Sequence, residues 1–148
     1  MYSQRQDRSG FLPRLFSFLL PALFACYVDP AMACWEEIGY KYGIDPRLLY
    51  AIARTESAMK PAALNRNSNG SYDLGLMQIN SSWLPRLKSY GISERQLYEP
   101  CVNIEVAAWI LANNFSRMGD HWQAVGAYNS TKPLQRWKYA SKVYQHLP

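Results

Sequence analysis

Apolar residues recur along this chain mainly at the three-and-four spacing of helices, and the pattern breaks once, near the middle, in a polar stretch rich in turn formers. Asp45 caps a helix that has Pro46 at its first position and ends at Glu56 or Ala58, before Pro61. Its stripe runs through Leu49, Ile52, Ala53 and Glu56, so a carboxyl group stands where the aliphatic side chains point. Residues 35–42 form a shorter helix ended by Gly43. Asn65-Arg66-Asn67-Ser68-Asn69-Gly70-Ser71 carries the Asn-Gly hairpin signal, and Tyr72 to Asn80 follows as a short strand or extended segment. Met77 and Ile79 alternate there with Gln78 and Asn80 and anchor the segment to the core. Ser93 and Gln96 have capping-box spacing, and Cys101 to Arg117 keeps helical spacing through Ile104, Ala107, Ala108, Leu111 and Phe115 until Gly119. Asp120 caps a short helix through Ala127, and Pro133 opens a last one carrying Leu134, Trp137, Ala140 and Tyr144. The class is α+β, mainly α, with a short β-hairpin region. No repeat, low-complexity tract or linker divides it.

The first residues follow a different logic. Arg5, Arg8 and Arg14 precede the apolar run Leu15 to Cys26, and Ala31-Met32-Ala33 follows, which is the layout of a secretory signal peptide. The run is shorter than the roughly 20 apolar residues of a membrane-spanning helix, which disfavours the rival reading as an uncleaved anchor. Residues 1–33 are therefore read as signal and 34–148 as one compact domain, exported to the periplasm. Cys26 leaves with the signal, and Cys34 and Cys101 remain to pair in an oxidising compartment. A lipidated Cys34 is the rival, and Ala31 stands where a lipoprotein signal normally has Leu.

Setting Arg5, Arg8, Arg14, Asp7 and Asp29 aside from the 16 basic and 11 acidic side chains leaves 13 and 9. That surplus suits a polyanionic target such as cell wall. Nucleic acid fits less well, because there is no Lys/Arg run and no binding motif. His121 and His146 are isolated and no Cys/His pair has ligand spacing, so neither a metal nor a cofactor is expected.

Glycosidic cleavage needs a proton donor to the bridging oxygen and a stabiliser for the oxocarbenium-like centre. Burial raises the pKa of a carboxyl group, so Glu56 suits the donor, and Asp73, beside polar turn residues, suits the ionised partner. The plain alternatives are a frayed helix end for Glu56 and a turn residue for Asp73. Among the aromatics, Trp83 and Tyr128 are placed to flank sugar rings, whereas Trp109 is read as core and Trp35, Trp122 and Trp137 default to core packing.

Glu56-Ser57 after a short helix, then Gly75-Leu76-Met77-Gln78-Ile79-Asn80, then Ala127-Tyr128-Asn129, resembles the catalytic domain of soluble-type lytic transglycosylases. More narrowly, it resembles the small secreted kind that accompany type III secretion, type IV secretion or pilus systems. The resemblance covers Cys34 to about Leu147 and implies a lysozyme-like fold. It makes Glu56 the single acid and base, with Ser57 orienting it or the sugar and Gln78 and Asn80 lining the groove. Tyr128 would hydrogen-bond near the Glu56 carboxyl, with Asn129 supporting that turn. The implied substrate is the peptidoglycan glycan strand, cut between N-acetylmuramic acid and N-acetylglucosamine to leave a 1,6-anhydro end. The implied partners are components of a secretion or pilus apparatus, with the enzyme itself a monomer.

Asp73 departs from many family members, which have a small or neutral residue there. Asp73-x-Gly75-x-x-Gln78-Ile79-Asn80-Ser81, with Trp83 just after, also resembles chicken-type lysozymes, in which a second carboxylate assists and water completes hydrolysis. A muramidase is therefore the close alternative. A non-catalytic wall-binding assembly factor is the alternative from another class, and it has no use for a buried acid.

Overall fold

The computed structural model describes residues 30–148 apart from Asp120, with side chains from Cys34 onward. The signal segment read in residues 1–33 therefore lies almost wholly outside the described residues, and so does the cap assigned to Asp120.

Six helices and a three-stranded antiparallel sheet make up the described chain: α1 Pro30–Tyr42, α2 Pro46–Ser57, β1 Leu64–Arg66, β2 Tyr72–Leu74, β3 Ile79–Asn80, α3 Leu84–Ser89, α4 Pro100–Met118, α5 His121–Gly126 and α6 Pro133–Gln145. Helix α1 starts five residues before the expected one, with Pro30 at its first position and the good helix formers Ala31, Met32 and Ala33 extending it. The Asp45 carboxylate accepts from the Arg47 N–H at 2.9 Å, which is the expected cap of α2. Gln96 reaches back to the Ser93 N–H at 2.9 Å, opening a 3-10 turn at Arg95–Tyr98 before α4.

The core lies where α4 packs on α1 and α5 and where α6 packs on α2. Leu49, Ile52, Ile104, Leu111, Val125 and Val143 fill it and are fully buried. Trp35 is buried as expected, while Trp109 and Trp122 lie partly buried against the core. Trp137 does not: it is 49% exposed, alongside Leu134 at 67% and Tyr144 at 64%. Ala140 is buried as expected, and helix α6 turns Tyr139 and Val143 inward beside it, with the Tyr139 hydroxyl on Glu56, a partner that the wheel pattern does not reveal.

The hairpin forms where Asn69-Gly70 predicts it, with Asn65 opposite Asp73 and Gly70 at φ +84°. The segment from Tyr72 to Asn80 is not one strand. Gly75 at φ +76° and Gln78 at φ +52° fold it into a turn closed by Gln78 N–H to Gly75 C=O at 3.2 Å, and β3 then returns beside β2.

Cys34 in α1 is disulfide-bonded to Cys101 in the first turn of α4, across 67 residues of sequence. Closing so long a loop limits the unfolded chain, which gives stability of about 2–4 kcal/mol. Replacing both cysteines by Ser should lower the urea-unfolding free energy by that amount. An unchanged midpoint would show that the packing of α1 on α4 suffices without the bond.

Candidate active site

Helix α2 ends just after Glu56, where Ala58 and Met59 take left-handed φ values of 51° and 67° and turn the chain sharply away. The side chain is thereby left at the helix end, on the stripe that carries Leu49, Ile52 and Ala53. Part of its surface opens to a groove, yet its carboxyl is surrounded by enough protein that loss of water dominates its titration. Burial raises the Glu56 pKa to about 7, against a lowering effect of the Tyr139 hydroxyl and a further push upward from Asp73. Tyr139 donates to Glu56 Oε1 at 2.5 Å, and the Tyr128 ring lies near-parallel to Tyr139 with centroids 6.4 Å apart. Both phenols are held well above their ordinary pKa, first by burial and then by the nearby Glu56, so they serve as hydrogen-bond donors.

The opposite wall is a polar scaffold. Asn103 on α4, fully buried, accepts from the Met77 N–H at 2.6 Å and donates to the carbonyls of Leu74 at 3.0 Å and Leu97 at 2.7 Å. Gly75 is required at this approach, since a Cβ would lie 2.3 Å from the Leu97 carbonyl oxygen. Gln78 donates to the Gly75 carbonyl at 2.8 Å and accepts from Asn65 at 2.6 Å. Asp73 accepts from Asn80 at 2.7 Å and from Asn67 at 2.9 Å, so its carboxylate is fixed by two side-chain amides.

These walls enclose a cavity of about 290 Å³ lined by Glu56, Asn67, Asp73, Gln78, Ile79, Asn80, Trp83, Ile110, Tyr128 and Asn129. Seven of the eight residues singled out in the sequence for catalysis or substrate contact thus meet in one place. Ser57 does not line the cavity. Its hydroxyl donates to the Leu76 carbonyl at 2.7 Å and accepts from the Lys60 N–H at 3.0 Å, tying the end of α2 to the turn after β2. The Tyr128 hydroxyl donates to the Met77 carbonyl at 2.9 Å, and the hydrogen bond to the Glu56 carboxyl itself comes from Tyr139.

Tyr139, Asn67 and Asn103 were not legible as site residues. Tyr139 lies in α6 two residues from the exposed Trp137 and carries no motif, and Asn67 reads as one turn former among several. A cavity of about 280 Å³ between Tyr42 and Trp109 is a poorer candidate, because Leu87, Ile92 and Val106 line much of it and its carboxylate, Glu105, is ion-paired with Lys41. Among the described residues no group of His, Cys, Asp and Glu could hold a metal ion.

The transglycosylase SLT domain family model matches residues 33–145. Invasion protein IagB of Salmonella typhimurium is 44% identical over 135 residues, covering 87% of this chain and 84% of that protein. Protein IpgF of Shigella flexneri is 42% identical over 117 residues, covering 76% and 77%. Among solved structures, an inactive variant of the lytic transglycosylase Slt from Pseudomonas aeruginosa superposes with a TM-score of 0.62 at 23% identity, over 78% of this chain and 23% of that one. At that identity the likeness establishes the lysozyme-like fold and nothing further.

The raised pKa has a consequence for stability. The ordinary glutamate value of 4.5 governs the unfolded chain and about 7 the folded one, so the native state holds the extra proton between them. The cost of ionising buried Glu56 is therefore absent below the lower value, grows as pH rises, and is complete above the higher. Glu56→Gln should make the protein more stable than wild type by on the order of 3 kcal/mol at pH 8, and equal to it near pH 4, in urea unfolding. A wild type more stable than the variant at pH 8 would mean that Glu56 is ionised at little cost.

Proposed function

The chain belongs to the transglycosylase SLT domain family and is a peptidoglycan lytic transglycosylase, and we propose that Glu56 serves as both acid and base in cleaving the bond between N-acetylmuramic acid and N-acetylglucosamine. The observation that carries this reading is a desolvated carboxyl group with a pKa near 7, facing a polar groove. Protonated Glu56 gives its proton to the bridging oxygen as the bond from that oxygen to C1 of the muramyl residue breaks. The resulting carboxylate then takes the proton of the muramyl C6 hydroxyl as that oxygen bonds to C1, closing the 1,6-anhydro ring. No water is consumed and Glu56 ends protonated.

Asp73, fixed by Asn67 and Asn80 in the same cavity, supplies negative charge for the oxocarbenium-like centre. Gln78, Asn80, Trp83 and Asn129 supply the remaining groove surface, Tyr128 braces the Met77 carbonyl behind it, and Tyr139 positions Glu56. The same Asp73 supports the second reading, a muramidase that hydrolyses this bond. We further propose export to the periplasm after removal of residues 1–33, and local opening of the wall for assembly of a secretion or pilus apparatus. The likeness to an invasion protein and to IpgF supports that role.

Mass spectrometry of digested peptidoglycan separates the two reactions, because their products differ by one water. The expected products end in 1,6-anhydromuramic acid, with Asp73→Asn slowed but active and Glu56→Gln reduced by about 10²–10⁴-fold or more. Reducing ends, with Asp73→Asn as inactive as Glu56→Gln, would make the chain a hydrolase.

A further inference from the structure

Thr55 immediately precedes Glu56 at the end of α2, and its hydroxyl lies 2.9 Å from Nδ1 of His146, 91 residues away in the chain. The direction of that bond follows from counting hydrogens. The Thr55 hydroxyl carries one, and donates it to the Ala51 carbonyl at 2.8 Å. Toward His146 it therefore accepts, and Nδ1 bears the proton. A charged imidazole and a neutral one protonated on Nδ1 both meet this demand, whereas the other neutral tautomer sets two lone pairs against each other.

His146 directly follows α6, where its backbone N–H donates to the Val143 carbonyl at 3.0 Å. Its ring reaches across to α2 instead of back to the carbonyls of its own helix. Tyr139, Val143 and His146 fall at i, i+4 and i+7, on one stripe of α6, and both polar members of that stripe bond to α2. Val143 is fully buried between them, and Leu147 packs against the core just beyond. Helix α6 is thus fastened to the last turn of α2 at two points about two turns apart, Tyr139 on Glu56 and His146 on Thr55. A helix held by Tyr139 alone can swing about that contact. The second point fixes where the phenol stands against the carboxyl. Burial, Tyr139 and Asp73 set the Glu56 titration, so the imidazole does not act on it directly.

We propose that His146 is a positioning residue for Glu56: by donating from Nδ1 to Thr55, it holds α6 in the place from which Tyr139 reaches the carboxyl. This rests on the reading of Glu56 as the acid of the reaction. His146 itself does not line the groove that Glu56 and Asp73 share. The other titratable groups around Glu56, namely Tyr128, Asp73, Lys138 and Lys142, stay in place in every variant compared below.

The test reads Glu56 first and turnover second. Carbon-13 titration of the Glu56 carboxyl in His146→Ala should give a pKa above the wild-type value of about 7, because a loosened Tyr139 bond favours the ionised form less. In a Tyr139→Phe background the same substitution should produce no further rise. Thr55→Val, close to threonine in shape, should reproduce His146→Ala, and His146→Asn, which carries an amide N–H near the Nδ1 position, should restore the wild-type titration. On soluble glycan fragments, kcat should fall about three- to tenfold in His146→Ala with KM unchanged, and the limb of the pH profile that reports Glu56 should move with the titration. A Glu56 titration unchanged in both His146→Ala and Thr55→Val, or a rise that persists in the Tyr139→Phe background, would overturn the proposal. Failure of the reading of Glu56 as the acid appears elsewhere, as full activity in Glu56→Gln, and leaves the titrations to be judged by themselves.

Discussion

Keeping the Glu56 carboxyl out of water shapes everything packed around it. A glutamate on the inward stripe of α2 would be an error in a helix whose other inward residues are Leu49, Ile52 and Ala53, unless its neutral form is the one wanted. Desolvation favours that form. The Tyr139 hydroxyl then gives the carboxyl one partner without neutralising the effect, so the group is satisfied yet retains a pKa near 7. Helix α6 is held to this demand, since its buried face is set by Tyr139 and its larger apolar residues, Leu134, Trp137 and Tyr144, are left outside.

The wall facing Glu56 is rigid for a different reason. Three short strands have little stability of their own, and the turn between β2 and β3 contains two residues at positive φ. Asn103 compensates by tying three backbone groups of two separate segments to α4, and Gly75 lets the chains approach closely enough for it to do so. Gln78 and Asp73 are likewise bound by amides, and no buried side-chain polar atom among the described residues lacks a partner. A fully satisfied network of this kind holds one geometry. The groove is thus built before any sugar enters it.

Much of this was legible in the sequence because it depends on local rules. The cap at Asp45, the stripe ending in Glu56 and the hairpin at Asn69-Gly70 need only neighbours in the chain, and all three are present. The break of the Tyr72–Asn80 segment into two strands was not legible, because the turn is imposed from outside by Asn103 and Leu97. Tyr139 was hidden for the same reason: its partner lies 83 residues away, and the helical pattern of α6 reads equally well with Trp137 and Tyr144 inside. Ser57 has the right neighbours for a substrate contact, yet its hydroxyl is drawn to the Leu76 carbonyl. Residues that act through long-range polar bonds leave no periodic trace.

The central claim is that burial keeps Glu56 protonated near neutral pH, and a direct titration of that one carboxyl tests it. Carbon-13 NMR of the side-chain carboxyl of Glu56, assigned by comparison with Glu56→Gln, should follow a single transition with a pKa of about 7. In Tyr139→Phe the value should move higher, because the hydrogen bond that favours the ionised form is gone. A Glu56 titration at the ordinary glutamate value, unmoved by Tyr139→Phe, would contradict the account.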